Sequence, residues 1–271
     1  MRTGAFFGIV PPAMSTLSTR QQSILNRVVD THIETAQPVG SKFLTELYSG
    51  LYRSSYSSAT VRHEMGVLEE LGYLTHPHTS AGRIPTDRGY RYYVEYGLPQ
   101  DELPEEMARD MREGLEPETA AGQGLGEKAA SLLSKFAHEI AVVLMTSPGY
   151  SGPRCRWVTY LNGVSLVFDK PEFLDVKKVQ LLFSAFEQKE EFAEWLGSKS
   201  QEEGIGVSIG SENQHPALRE CSVVSAACRG GLERRPAVVA LIGPRRMRYS
   251  RAVTLVRHTA RLLESLFAGQ D

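Results

Sequence analysis

Cysteine is scarce in this sequence: 271 residues hold three, Cys155, Cys221 and Cys228. So sparse and odd a set does not make the bridge framework of a small secreted protein, and the reducing cytoplasm is the expected home. Long apolar runs are missing as well. The nearest thing to a leader, AFFGIV, is six residues long and stops at Pro11-Pro12, far short of the ~20 that cross a bilayer, so neither a secretory leader nor a membrane span is expected. Charge of one sign is also absent: 30 Lys and Arg face 32 Asp and Glu, for a net charge of −2. A nucleic-acid partner therefore cannot be argued from bulk charge, only from its local distribution. Paired carboxylates, nucleophile–base arrangements and metal-ligand spacings do not occur, which predicts a protein with no catalytic residues, no metal and no cofactor. His76 and His78 flank Pro77 without a Cys or carboxylate cluster nearby and read as a solvated turn.

What is present is unevenly spread. The length suits two domains and a linker. Residues 101–118, DELPEEMARDMREGLEPE, carry eight acidic and two basic side chains with two prolines, the composition of a solvated linker or linker helix. Between Ser18 and Leu98 the charges balance at eight against eight, with four of the seven histidines. Met14 stands just before the first patterned segment, so residues 1–16 are read as a disordered extension, with Met1 and Met14 both open as the start.

The first patterned region reads as helices. Ser18 and Gln21 form a capping box ahead of Ile24, Leu25, Val28, Val29 and Ile33 at helical spacing. Pro38 and Gly40 break that helix, Ser41 caps a short second one over KFLTELY, and Ser57-Ser58 caps a third, ATVRHEMGVLEELG. There Val61, Met65, Leu68 and Leu71 make an inward stripe. Ser58, Thr60, Arg62 and His63 are thereby turned outward, and such side chains suit base edges and phosphates in a major groove.

Gly72 ends the third helix, and a short strand leads into the loop of PHTSAGRIPTDRGYRYYV. A small, flexible loop with one arginine can cradle a phosphate, cap an idle hairpin or reach into a DNA groove. Without GxxxxGK[ST] or a buried strand before it, the nucleotide reading is the weakest. As a wing tip, Thr79 to Arg83 brings Ser80 and Arg83 to the sugar-phosphate backbone or a narrow minor groove. Thr86 then caps a helix whose Arg88 and Arg91 lie three apart. Three helices and a hairpin make a winged helix, a form that serves as a protein-interaction module as well as a DNA reader.

The segments PVGSK, SSATVRHEMGVLEELGYL and PHTSAGRIPTDRGYRYYV resemble the N-terminal domain of the bacterial heat-inducible transcription repressor HrcA family. KPEFLDVKKVQLL, IGSEN, CSVVSA and IGPRRMRYSRAVTLV resemble the family's GAF-like C-terminal domain, in the right order. The resemblance covers most of the chain apart from its first 16 residues and the linker. It implies a homodimeric repressor on an inverted-repeat double-stranded DNA operator upstream of chaperone operons, kept active by the GroE chaperonin. The DNA contacts expected of the winged helix are Ser41, Lys42, Ser58, Thr60, Arg62, His63, Ser80, Arg83, Arg88 and Arg91. Two departures stand out: position 63 is His where the family usually carries Asn, and HEIAVVLMTSPGY runs almost at once into RCRWVTYLNGVSLVFDKPEF, without most of the family's long intervening segment, which holds the first strands of its GAF-like domain and a dimerisation insert.

The second half reads as α+β. Leu132–Met145 is expected as a helix or helix-strand run, Arg156–Tyr160 as a strand and Val176–Leu196 as one amphipathic helix. Strands follow over Val207–Ile209, Ser222–Ala227 and Val238–Ile242, and a helix runs from about Ser250 to Phe267. Cys221 and Cys228 read as core residues. The run GPRRMRYSR leaves two readings open: an anion held by Arg245, Arg246, Arg248 and Arg251, or a solvated basic face.

The expected architecture is α+β, with a winged helix-turn-helix domain at 17–98, an acidic linker at 99–126 and a shortened GAF-like dimerisation and sensor domain at 127–271. The expected function is heat-released repression of chaperone operons. Two rivals remain: a metabolite-sensing winged-helix regulator, and a degenerate repressor that has lost dimerisation.

Overall fold

The computed structural model describes residues 17–48, 56–77, 82–99, 102–115, 124–146, 157–199, 204–230 and 235–268. The expectations for residues 1–16, for the loop tip with Ser80 and for most of Tyr52–Tyr56 lie outside them. The chain divides into two compact units. No helix among the described residues is long and apolar enough to cross a membrane.

In the N-terminal unit three helices precede a hairpin: α1 (Thr19–Thr35), α2 (Ser41–Tyr48) and α3 (Ser58–Glu70), then β1 (Leu74–Thr75) and β2 (Ile84–Pro85). The expected capping box forms, with the Ser18 hydroxyl accepting from Gln21 N and the Gln21 side chain accepting from Ser18 N. Gly72 ends α3 because its φ of +78° lies in the left-handed region, which lets Tyr73 N–H return to the Leu68 carbonyl at 2.9 Å. The strands pair antiparallel, Leu74 with Pro85 and Thr75 with Ile84. Thr86 caps α4 (Asp87–Tyr92), which continues into a π-helical turn over Tyr93–Gly97. Ile24, Leu25, Val28, Val61, Met65, Leu68, Tyr73 and Tyr90 are buried as the core.

The C-terminal unit holds one five-stranded antiparallel sheet. It comprises β3 (Ile140–Thr146), β4 (Trp157–Asn162), β5 (Ile205–Ile209), β6 (Cys221–Gly230) and β7 (Arg235–Pro244), in the order β4-β3-β7-β6-β5. Ile140, Val142 and Leu144 on one face of β3 join a core with Val179, Leu182, Phe192 and Leu196 from α7 (Val176–Glu187) and α8 (Lys189–Lys199). The alternate residues Ala141 and Val143 are also buried, under α6 (Leu125–Ala137), while the long α9 (Tyr249–Ala268) packs on β6 and β7. A sheet covered on both faces reads as a near-continuous apolar run, which is why IAVVL lacks alternation.

Two expectations are corrected. The single helix over Val176–Leu196 is two, because the chain leaves helical geometry at Gln188. The acidic stretch takes the helical form its composition allowed, α5 (Glu105–Leu115), but it partitions with the C-terminal unit instead of standing between domains. The reason is one apolar stripe on a charged helix: Met111 and Leu115 are fully buried.

Candidate nucleic-acid interface

Helix α3 starts where Ser57 accepts from Thr60 N–H at 3.1 Å, with the Ser57 and Thr60 hydroxyls 2.9 Å apart. Its inner face is fixed by Val61, Met65 and Leu68 and by buried Glu64. The Glu64 carboxylate accepts from Arg20 at 3.4 Å and Gln21 at 3.2 Å on α1. With that side anchored, Arg62 and His63 are exposed, and Ser58 and Thr60 are half-buried. The Ser41 and Ser58 hydroxyls are 3.3 Å apart, which brings the starts of α2 and α3 together. Lys42 is exposed beside them, with its ammonium 3.8 Å from Glu46. Ser41, Lys42, Ser58, Thr60, Arg62 and His63 thus sit in the opening turns of two adjacent helices.

The remaining arginines behave differently. Arg83 turns back onto α3, where its Nε and Nη2 each lie 3.0 Å from Glu69 Oε2, and its side chain is only 18% exposed. Arg88 stacks over the Tyr73 ring at 4.6 Å. Arg91 is buried, with its side chain 4% exposed and 4.0 Å from Glu95. The expectation that Arg91 faces a groove is therefore corrected: three-residue spacing placed it beside Arg88, but the pattern of this short helix does not say which side packs inward. The sequence reading also passed over Glu69, whose carboxylate is 3.3 Å from His76 Nε2 as well. Its contacts come from 7 and 14 residues away, past the end of α3 and in the hairpin.

The basic run after β7 is engaged by protein acceptors. Arg245–Arg248 group with the N-terminal unit, where Arg245 lies 3.1 Å from Asp87, Arg246 donates to the Ile33 carbonyl at 3.1 Å and Arg248 lies 2.8 Å from Glu34. Arg251 donates to the Phe136 carbonyl at 2.8 Å. Neither an open anion site nor a wholly solvated face describes these side chains. In the C-terminal unit a recess of about 10 Å³ is lined by Phe173, Leu182, Cys221 and Ile242, with the 2.9 Å Lys170–Glu139 ion pair beside them. That is room for about one water molecule and not for an organic ligand.

Residues 101–253, more than half of the chain, match the family model of the HrcA protein C terminal domain. The chain belongs to the HrcA family. It is 28% identical to the heat-inducible transcription repressor HrcA of Pelotomaculum thermopropionicum over 350 aligned positions, covering 93% of this chain and 99% of that one. The HrcA repressor of Syntrophobacter fumaroxidans is 29% identical over 354 positions, covering 95% and 100%. Because 93% of 271 residues is about 252, roughly 98 of the 350 positions shared with the first HrcA relative have no residue here. A crystal structure of a hypothetical protein shares the fold with a TM-score of 0.70 at 21% identity, over 94% of this chain and 100% of that one. As an HrcA protein the chain is a repressor of heat-inducible transcription and not an enzyme.

Proposed function

We propose that the N-terminal unit is a winged helix-turn-helix that reads duplex DNA, and that two copies of the chain repress chaperone operons from one inverted-repeat operator. The observation that carries this reading is the exposed start of α3, with Arg62 and His63 outward and the Ser41–Ser58 pair beside them. In this reading α3 enters the major groove, Arg62 bonds a guanine edge and His63 a neighbouring base. Ser41, Lys42, Ser58 and Thr60 hold phosphates, and the hairpin, with Ser80 at its tip, lies along the backbone. Arg83 and Arg88 support that frame. Half-sites one helical turn apart require two recognition helices at matching separation, hence a homodimer.

The C-terminal unit is assigned to a GAF-like sensor and dimerisation domain that begins at α5. Heat releases the operator by destabilising this unit, and the GroE chaperonin restores it, in the cytoplasm. Loss of ~1–2 kcal/mol suffices for such a switch, given the ~5–15 kcal/mol that holds a typical domain together.

The test is a titration of purified protein against a duplex carrying the inverted repeat found upstream of a chaperone operon, and against a scrambled duplex, at two salt concentrations. The expected result is two protomers per operator duplex and a preference over the scrambled one that Arg62→Ala removes. Equal, equally salt-sensitive binding to both duplexes excludes operator recognition.

A further inference from the structure

We propose that Glu69 is the positioning residue of the wing: a single carboxylate oxygen at the end of α3 ties down both limbs of the hairpin, and Arg83 acts through it instead of contacting DNA. This rests on the winged-helix reading above. The outgoing limb is held by His76, whose Nε2 lies 3.3 Å from Glu69 Oε2. The return limb is held by Arg83, whose Nε and Nη2 are each 3.0 Å from that same oxygen. Both attachments lie immediately outside the last strand pair, Thr75 with Ile84, where the two limbs leave the ladder.

The return limb has a second, independent anchor. Arg83 N donates to Val39 O and Val39 N to Arg83 O, both at 2.9 Å, so the backbone at Arg83 is bridged to the turn between α1 and α2. Gly82 makes that approach possible. A Cβ there would lie 2.5 Å from the carbonyl carbon and oxygen of Val39 and 2.8 Å from Gly40 N. These are backbone atoms, which cannot swing aside as a side chain can. The backbone bridge fixes how near the limb comes, and the Glu69 ion pair fixes which way the Arg83 side chain faces. A guanidinium whose Nε and one Nη point at a carboxylate directs its strongest, fork-shaped hydrogen bonding into the protein. The pair is only partly exposed, at 18% and 31% for the two side chains, so water screens it less than a surface pair.

A direct phosphate contact and a positioning pair leave different signatures. Each lost phosphate contact lowers the slope of log affinity against log salt by about 0.9, whereas a displaced wing weakens binding without removing a counterion-releasing charge from the interface. The experiment measures operator and scrambled-duplex affinity of the full chain over a salt series for wild type, Arg83→Ala, Glu69→Gln, the double variant and the reversed pair Glu69→Arg/Arg83→Glu. The expected result is that each single variant loses roughly tenfold in operator affinity, the double variant loses no more, the salt slope is unchanged and the reversed pair, which restores the tie to the return limb but not to His76, recovers part of the loss. Thermal melts verify that each variant is folded, and the reversed pair tests the pairing even where one single variant melts early. Arg83→Ala with a slope lower by about one, Glu69→Gln binding as wild type and no recovery in the reversed pair would overturn the proposal while leaving the repressor reading intact. A wild-type protein that does not distinguish the duplexes sinks the repressor reading, and the positioning role with it.

Discussion

Tyr93 donates a 2.6 Å hydrogen bond from its hydroxyl to the Asp30 carboxylate, joining the π-helical turn after α4 to the middle of α1. Burial raises the Asp30 pKa above its ordinary 3.8. The Tyr93 hydroxyl opposes that rise, and the neighbouring Glu34 carboxylate adds to it. An acid whose folded pKa is raised stabilises the fold below its unfolded pKa, and that contribution is lost as pH rises through the folded value. Asp30→Asn keeps an oxygen for Tyr93 and removes the charge. It is expected to raise the melting temperature at pH 7.5, with the gain shrinking as pH falls toward 4. A gain that is constant with pH would refute the electrostatic cause.

Burial, with a smaller contribution from Glu264, pushes the Cys228 thiol up to about 12; Cys221 is a buried free thiol too. Since the thiolate is the reactive form, both should be inert to a disulfide reagent at pH 8 in the native protein. In a Cys155→Ser background the expected titre is no thiol per chain in buffer and two in guanidinium. The temperature at which the two appear then reports opening of the β6 strand directly.

His258 on α9 hydrogen-bonds the backbone of Ala108 on α5. Burial lowers its pKa below the usual value, the hydrogen bond opposes this, and Arg112 and Arg261 push the same way as burial. A base with a depressed folded pKa stabilises the fold above its unfolded pKa, near 6.5, and that contribution is lost as pH falls through the folded value. Melting of the C-terminal unit should therefore drop between pH 7.5 and 5.5, and drop less in His258→Gln. Identical pH profiles would show that this imidazole does not couple to stability.

Helix α5 should behave as part of a domain. Met111→Ala and Leu115→Ala are each expected to cost ~2–5 kcal/mol by urea denaturation, the range for deleting a buried large side chain. Limited proteolysis should cut before Glu105 and spare α5. Cleavage inside α5 at the rate of an open linker would return it to the role its composition suggests.

What the sequence disclosed follows the range of the interactions involved. The capping box at Ser18, the Ser57 and Thr86 caps and the inward stripe of Val61, Met65 and Leu68 were legible because each is set within one or two helical turns. The exposed face of α3 followed from that stripe. Glu69 was not legible, because its carboxylate meets Arg83 fourteen residues on, through a hairpin whose course no local pattern states. Arg91 was misjudged for the same reason: the arginines of a six-residue helix can be assigned a side only when the packing partner is known. Over residues 101–118 eight acidic side chains dominate the composition, yet buried Met111 and Leu115 settle where α5 lies. Sheet order was beyond reach, since β3 pairs with a strand far along the chain.

That pairing bears on how the protein is made. Strand β3 lies between β4 and β7, and β7 begins about 90 residues after β3 ends. At the ~5–20 residues per second of synthesis, β3 waits on the order of 5–20 seconds for its second partner to be translated. Through that interval one edge of IAVVLMT has no partner, although α6, made just before it, already packs on the strand. The centre of this sheet is completed only when β7 is translated, so the open edge of β3 persists through most of the synthesis of the C-terminal unit.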